Sequence, residues 1–199
     1  GFQFKAGQFV AVTLIDPTNT DAKGNRRNFT IASAPYEEDL MIATRMRNSA
    51  FKQNLKEMAI GTELKLLGPF GNLTLADTPG SIVFLTGGIG ITPFRSMSLQ
   101  AAHEQLPNSI SLFYSNRRPE DTAFLQELKD LEQLNPNYKL IATMTAMEKS
   151  KESWHGETGY INEKMMDKFV RDQNTHVYYI AGPPGMVTAM LQMLKKSGV

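Results

Sequence analysis

The sequence contains no cysteine, which excludes disulfide bonds, cysteine-ligated iron–sulfur clusters and cysteine-type zinc sites within this chain. Its three histidines, His103, His155 and His176, are scattered without metal-ligand spacing, so we expect no metal site. A formal net charge of +1 and no long Lys/Arg run argue against nucleic acid as a partner. No apolar run approaches the roughly 20 residues of a membrane helix. We expect no membrane span in this chain and a cytoplasmic location.

The 199 residues fall into two parts with different hydrophobic patterns. In residues 1–78, short β-type runs are separated by turn residues and interrupted by one helix, with Ser49 as its N-cap. This pattern is typical of a small antiparallel β-barrel. The β-type runs cover residues 8–15, 28–33, 39–47 and 62–67.

From residue 79 onward, continuously apolar strands alternate with helical patterns, which predicts a parallel, doubly wound α/β sheet. Asp121 and Asn162 are the expected N-caps of two of the helices. The boundary between the two domains falls within residues 76–81, and we place it between residues 78 and 79. The strands cover residues 81–86, 110–115, 138–144 and 176–181, and the helices lie near 93–105, 121–134, 162–170 and 185–196.

The segment TGGIGITP, residues 86–93, directly follows the first apolar strand of the second domain. Gly87, Gly88 and Gly90 allow close approach of the backbone to a phosphate, and Pro93 suits the first turn of the next helix. That helix start offers free N–H groups to an anion. The cluster differs from the Gly-x-Gly-x-x-Gly fingerprint, and alone it also fits an ordinary strand-to-helix turn.

Two more strand ends carry groups that suit a dinucleotide. Ser115, Arg117 and Arg118 supply a hydroxyl and two guanidinium groups that match a ribose 2′-phosphate, which favours NADPH over NADH. Taken alone, each arginine fits a solvated side chain that caps a loop better than a phosphate contact. In AGPPGM, residues 181–186, a Gly-Pro turn at Gly182 and Pro183 could cover the reactive end of the dinucleotide.

The first domain offers a second anion site. Arg27 and Phe29 share one face of a strand and Thr30 points the other way, so they could hold a phosphate, a planar ring and a polar edge. In isolation they also fit an exposed arginine beside a core phenylalanine. Arg45 and Arg47 precede the helix start at Ser49, where an anion is favoured. Two phosphate sites facing each other across a domain boundary suggest two cofactors.

The order and spacing of these motifs resemble the ferredoxin–NADP reductase superfamily of flavin-dependent, two-domain reductases. The resemblance runs through essentially the whole chain. It rests on KAGQFV (5–10), RNFT (27–30), SAFKQNL (49–55), GPFG (68–71), TGGIGITPFRSM (86–97), YSNRRPEDTAFLQEL (114–128), WHGETGYI (154–161) and AGPPGM (181–186).

The resemblance implies a six-stranded flavin-binding barrel beside a five-stranded NAD(P)-binding sheet. Arg27 would contact the flavin phosphates, Phe29 would pack on the flavin, and Thr30 would act catalytically near its N5. The glycine loop would hold the pyridine nucleotide's pyrophosphate, with Ser115 and Arg117 near the adenosine. The remaining implied cofactor contacts are Asn28, Ala43, Thr44, Arg45, Ser49, Ala50, Phe51, Lys52, Thr86, Arg118, Gly182, Pro183 and Met186.

The implied chemistry is hydride transfer from NADPH or NADH to bound FAD, with FMN possible, and then electron transfer to an external acceptor. That acceptor would be a redox protein (ferredoxin- or flavodoxin-like, or an oxygenase component) or a small molecule. One alternative is a reductase that uses free flavin or a ferric complex as substrate. A second is a regulatory or electron-transfer subunit that keeps the fold without turnover.

Four departures from the family pattern stand out. Two barrel strands would precede Gly1, and a fifth parallel strand would follow Val199, so we expect this chain to be a fragment. Ala181 stands where many members have a cysteine near the nicotinamide. Lys52 stands where many members have a small hydroxyl residue.

Overall fold

The computed structural model describes residues 1–76 and 80–199, which form two units built around separate sheets. The boundary expected between residues 78 and 79 lies outside the described residues. Within the described ranges, no helix has both the length and the apolar character needed to cross a membrane.

The first unit is an antiparallel sheet in the order β2-β1-β3, with a helix packed against it. Val10, Val12 and Leu14 alternate along β1 toward a core that contains Phe29 and Phe51. The elements are β1 (Phe9–Leu14), β2 (Arg26–Thr30), α1 (Ala50–Glu57) and β3 (Leu64–Phe70).

This first sheet has three strands among the described residues, where four β-type runs were predicted because two of the six implied barrel strands would precede Gly1. The strand predicted over residues 39–47 is wrong, and only a single bridge between Ile42 and Ile31 forms there. The Met41 N–H donates to the Ser33 hydroxyl at 2.9 Å, so it makes no strand-pairing hydrogen bond. Residues 45–48 are exposed, without the alternating burial that a half-buried strand requires.

The second unit is a five-stranded parallel sheet in the order β7-β6-β5-β4-β8, with helices on both faces. On the interior strand formed by residues 81–87, Ile82 and Phe84 belong to one core, and Val83 and Leu85 belong to the other. Burial on both faces explains the uninterrupted apolar runs. The elements are β4 (Ser81–Gly87), α2 (Thr92–His103), β5 (Ser109–Asn116), α3 (Leu125–Leu134), β6 (Tyr138–Met144), β7 (Glu157–Thr158), α4 (Glu163–Phe169), β8 (His176–Ala181) and α5 (Pro184–Lys196).

The antiparallel-then-parallel architecture and the five-stranded sheet are confirmed. The fifth strand is the two-residue β7, which pairs with the end of β6, whereas we expected a strand that would follow Val199.

Two of the three predicted helix caps are present. The Ser49 hydroxyl accepts from the Lys52 N–H at 3.4 Å, and the Asn162 side chain accepts from the Met165 N–H at 3.0 Å. The Asp121 cap is wrong, because its carboxylate instead binds Arg118 at 2.7 and 2.9 Å.

Candidate functional site

A cleft of about 1270 Å³ lies where the carboxyl ends of the parallel strands meet β2 of the first sheet. Parallel sheets bind ligands at this edge because the strand-to-helix loops converge there. Eighteen of the residues that the sequence predicts as cofactor contacts line the cleft: Arg27, Asn28, Phe29, Thr30, Ala43, Thr44, Arg45, Ser49, Lys52, Gly87, Gly88, Gly90, Pro93, Ser115, Arg117, Gly182, Pro183 and Met186.

Four predicted contacts, Ala50, Phe51, Thr86 and Arg118, do not line the cleft. The Phe51 side chain is buried in the core of the first unit, and Thr86 is buried within β4. Ala50 is the first residue of α1.

Arg118 points away from the cleft because its guanidinium is paired with carboxylates of its own loop. Its Nε lies 2.7 Å from Asp121, and its Nη1 lies 3.5 Å from Glu120 and 3.3 Å from the Lys149 carbonyl. The neighbouring Arg117 is exposed on the cleft, with no ion pair to another described residue. Only Arg117 of the predicted arginine pair therefore faces the cleft.

The glycine loop needs its glycines because the ends of β4 and β8 are packed closely together. A Cβ at Gly90 would lie 2.5 Å from the Ala181 carbonyl oxygen, and one at Gly87 would lie 2.6 Å from the Met186 sulfur. Gly88 has φ +55°, a left-handed conformation that glycine adopts without strain. The short turn Gly88–Ile91 then leads into α2, whose first turn contains Pro93. Thr92 and Pro93 of that turn line the cleft, so the start of α2 is a candidate site for an anion.

The buried Tyr114 side chain forms a hydrogen bond to the glycine loop. Its hydroxyl lies 3.1 Å from the Gly88 carbonyl and 3.2 Å from the Ala123 carbonyl, so it ties the loop to the segment before α3. Burial raises the pKa of Tyr114 to about 12, which keeps the hydroxyl protonated as a donor near neutral pH.

On the opposite wall, Arg27 and Phe29 share a face of β2, because both pack on the Phe51 ring at 5.2 and 5.7 Å. Arg27 also pairs with Asp21 at 2.9 Å and donates to three backbone carbonyls in residues 23–26. Its guanidinium therefore orders the loop before β2 as well as lining the cleft. Thr30 alternates with Phe29 and also lines the cleft.

The start of α1 is the second anion site predicted from the sequence. Lys52 donates to the Arg45 carbonyl, and the Ser49 cap fixes the first turn beside it. Burial, followed by the nearby charge of Arg47, lowers the pKa of Lys52. Arg45 extends toward the glycine loop, with its Nη2 3.6 Å from the Cβ position of Gly88. A cationic group of the first unit thus lies beside the glycine loop of the second.

The described residues that line the cleft carry five basic side chains and no carboxylate: Arg27, Arg45, Arg47, Lys52 and Arg117. The Asp21 pair offsets part of the Arg27 charge. A concave surface with charge of one sign concentrates ligands of the opposite sign. The two helix starts add partial positive charge at both ends. These residues fit an anionic cofactor with several phosphates.

Several residues that line the cleft are not among the cofactor contacts expected from the sequence. Thr145 directly follows β6, and the rule that strand ends meet at one edge would have found it. Tyr160, in the segment WHGETGYI, was not among the expected cofactor contacts, yet it is 78% exposed and lines the cleft. The other lining residues outside the predicted set are Arg47, Leu73, Ile89, Thr92, Asn116, Ile161, Ala181, Pro184, Gly185, Ala189 and Met190.

A search of residues 1–76 and 80–199 for a metal centre gave no group of three or more histidine or carboxylate side chains able to hold an ion.

The second unit matches a known protein family. The model of the oxidoreductase NAD-binding domain family matches residues 84–192, which include the glycine loop, four of the five parallel strands in whole and the larger part of β4. The chain belongs to this oxidoreductase family.

Relatives and solved structures extend the likeness to nearly the whole chain. The reductase subunit of glycine betaine monooxygenase from Chromohalobacter salexigens is 29% identical over 99% of this chain and 54% of that protein. One component of the Na(+)-translocating NADH-quinone reductase from Pseudomonas aeruginosa is 30% identical over 86% of this chain and 42% of that protein. The chain thus spans about half the length of the curated relatives it matches.

A ferredoxin NADP+ reductase from Neisseria gonorrhoeae, solved with bound FAD and NADP, has the same fold. Its TM-score is 0.77 at 23% identity, over 99% of this chain and 81% of that one. The cytochrome P450 reductase GcoB from Amycolatopsis gives a TM-score of 0.79 at 20% identity, over 98% of this chain and 57% of that one. The fold is of the ferredoxin reductase type.

Proposed function

We propose that this oxidoreductase uses NAD(P)H to reduce a bound flavin and passes the electrons to an external acceptor. The observation that carries the proposal is a single cleft lined both by residues at the start of α1 and by the glycine loop before α2, the two predicted anion sites. Two sites at the ends of one cleft suit two phosphate-bearing cofactors whose rings meet between them. Residues 1–76 would supply most of the flavin site and residues 80–199 most of the pyridine-nucleotide site, with Arg45 reaching from the first unit to the glycine loop.

The chain's own part in this chemistry is binding and alignment. A bound flavin would supply the redox chemistry, by accepting a hydride from the nicotinamide and releasing the electrons onward. Arg27, Ser49 and Lys52 would hold its phosphates, and Phe29 would pack against it. Thr30 would donate a hydrogen bond to its polar edge. Pro183 would cover the nicotinamide and exclude water from the space between the rings.

The choice of cofactors rests on fewer residues. FAD is the proposed flavin, with FMN the alternative. NADPH is favoured over NADH by Ser115 and Arg117, which line the cleft beyond the glycine loop. We propose a redox protein as the acceptor, since the relatives named above are reductase components of larger systems. The cytoplasmic location stays a prediction.

The first test is the visible spectrum of the purified protein, followed by anaerobic addition of NADPH or NADH. A bound-flavin spectrum that bleaches is the expected result. A colourless protein that oxidises NAD(P)H only with added flavin would favour the free-flavin reductase. A yellow protein that does not bleach with either nucleotide would favour the subunit without turnover, and would contradict the proposal.

Arg117→Ala should raise the Michaelis constant for NADPH about tenfold and leave that for NADH nearly unchanged. The reason is that a hydrogen bond to a charged group contributes about 1.5–3 kcal/mol, and about 1.4 kcal/mol is a factor of ten. Steady-state kinetics with both nucleotides and a dye acceptor measure the effect. Arg171→Ala, at an exposed arginine outside the cleft, is the control. Equal effects on both nucleotides would remove Arg117 from the 2′-phosphate site.

A further inference from the structure

Arg95 is a buried charge outside the cleft, only 3% exposed, and all five of its N–H donors are used. Its guanidinium donates to the Ala32 carbonyl at 2.7 Å and to both oxygens of Glu37 at 2.9 and 3.1 Å. It also donates to both oxygens of Glu127 at 2.7 and 2.5 Å. The Phe124 ring covers it at 5.1 Å. We call Arg95, Ala32, Glu37 and Glu127 the Arg95 clamp.

The clamp joins three segments that are distant in sequence. Ala32 and Glu37 follow β2, so they continue the strand that carries Thr30. Arg95 lies in the first turn of α2, directly after the glycine loop, and Glu127 lies on α3. The clamp is therefore a short connection between the two walls of the cleft.

Further contacts between α2 and the same segment run parallel to the clamp. The Ser96 hydroxyl donates to the Ser33 carbonyl at 2.7 Å, and both residues are buried. At the other end of α2, the His103 ring stacks on Tyr36 at 4.0 Å. These contacts fix the orientation of α2 along its length relative to the residues that follow β2.

A buried ion pair contributes little net stability, because desolvation of the charges offsets their attraction. Such a network can instead fix one relative arrangement of the segments it joins, since each N–H donor is directed at one acceptor. Burial opposes the charge of Arg95, but its bonds to Glu37 and Glu127 outweigh burial and raise the pKa of Arg95. The guanidinium thus stays charged and holds both carboxylates at once.

We propose that the Arg95 clamp sets the distance between the flavin-binding strand and the glycine loop, and thereby the rate of hydride transfer. This inference rests on the proposed function. Arg95 does not line the cleft, so it is a positioning residue that acts through β2 and α2. In the step concerned, one hydrogen leaves the nicotinamide with two electrons and the flavin ring receives both. The clamp itself exchanges no proton or electron.

Two variants separate positioning from simple stability. Arg95→Lys keeps the charge but cannot donate to both carboxylates with a planar fork. Because a lone arginine deletion would leave two carboxylates unpaired, the second variant combines R95M with E37Q and E127Q. Lys196→Met is the matched control, since it breaks a surface ion pair with Glu163 at 3.1 Å.

Rapid anaerobic mixing with NAD(P)H gives the limiting rate of flavin reduction and the nucleotide Kd separately. For both clamp variants, the limiting rate should fall about 10- to 100-fold, because displacements near 1 Å cost about that much in rate. Flavin content and nucleotide Kd should stay within about twofold of wild type. The reason is that a positioning residue affects the chemical step and leaves cofactor binding unchanged. The Lys196→Met protein should keep the wild-type limiting rate.

A second readout does not depend on activity. Since the chain has no cysteine, Lys65→Cys on β3 and Gln133→Cys on α3 can be spin-labelled specifically. The distance distribution between the labels should be narrow with the clamp intact and broad in the triple variant. Unchanged limiting rates and unchanged label distances would overturn the proposed role of the Arg95 clamp and would leave the proposed function standing. A wild-type protein whose flavin NAD(P)H does not reduce would overturn the proposed function, and the role in hydride transfer with it.

Discussion

A Gly90→Ala protein is expected to bind NAD(P)H at least about tenfold more weakly than wild type while keeping its flavin. The added Cβ would lie 2.5 Å from the Ala181 carbonyl oxygen and 2.7 Å from the Gly182 Cα. Both contacts are with backbone, so no side-chain rotation relieves them. The ends of β4 and β8 must move apart, and overpacking of this kind costs about 1–3 kcal/mol. About 1.4 kcal/mol corresponds to a factor of ten in Kd.

The loss should be confined to the pyridine-nucleotide site because Gly90 lies in the turn before α2 and the atoms nearest the added Cβ would be those of Ala181 and Gly182, in the second unit. Titration of the bound-flavin spectrum with an oxidised nucleotide measures the Kd, and the flavin-to-protein ratio measures retention. Gly80→Ala is the control, since a Cβ there meets nothing within 4 Å. If Gly90→Ala and Gly80→Ala bind the nucleotide equally well, the glycine loop is not the pyrophosphate site.

Arg45→Glu is expected to raise the NAD(P)H Kd about 100-fold. A hydrogen bond to a charged group contributes about 1.5–3 kcal/mol, and the new carboxylate adds repulsion toward phosphate. The Arg45 guanidinium reaches from the first unit to the glycine loop, where its Nη2 lies 3.6 Å from the Cβ position of Gly88. The substitution would place a negative charge where none of the described lining residues carries one.

Three comparisons make the Arg45 test specific. Arg45→Gln, which removes the charge without reversing it, should lose less affinity than Arg45→Glu. Added salt should narrow the difference between the two, because it screens exposed charges. Arg26→Glu reverses an exposed charge on β2 outside the cleft and should leave the Kd near wild type. An Arg45→Glu protein with wild-type affinity would show that no anion binds beside Gly88.

The second domain was predictable because its sequence signals are local and strong. Strands buried on both faces read as unbroken apolar runs, and the helices between them show clear periodicity. The exception is β7, whose two residues carry no pattern at all. In the first domain, the run at residues 39–47 has β-type composition but forms one bridge, since strand pairing depends on neighbours that composition does not specify.

The charged residues were harder to predict because their partners come from elsewhere in the fold. Asp121 was expected to cap a helix and Arg118 to bind a phosphate, yet the two pair with each other. Nothing in the sequence around Arg95 indicates that it meets Glu37 and Glu127. Each of these outcomes depends on which side chains the packing brings within hydrogen-bond reach.

The sequence by itself determined the alternation of the long strands and helices in the second unit, the position of the glycine loop and the presence of basic residues near it, because periodicity, capping and residue type act locally. Only the tertiary structure decided that Arg117 lines the cleft while Arg118 pairs with Asp121. It also decided that Arg95 pairs with Glu37 and Glu127. The physical reason is that the cleft and the clamp exist only where the two units pack. A side chain's direction there depends on contacts made across long sequence separations.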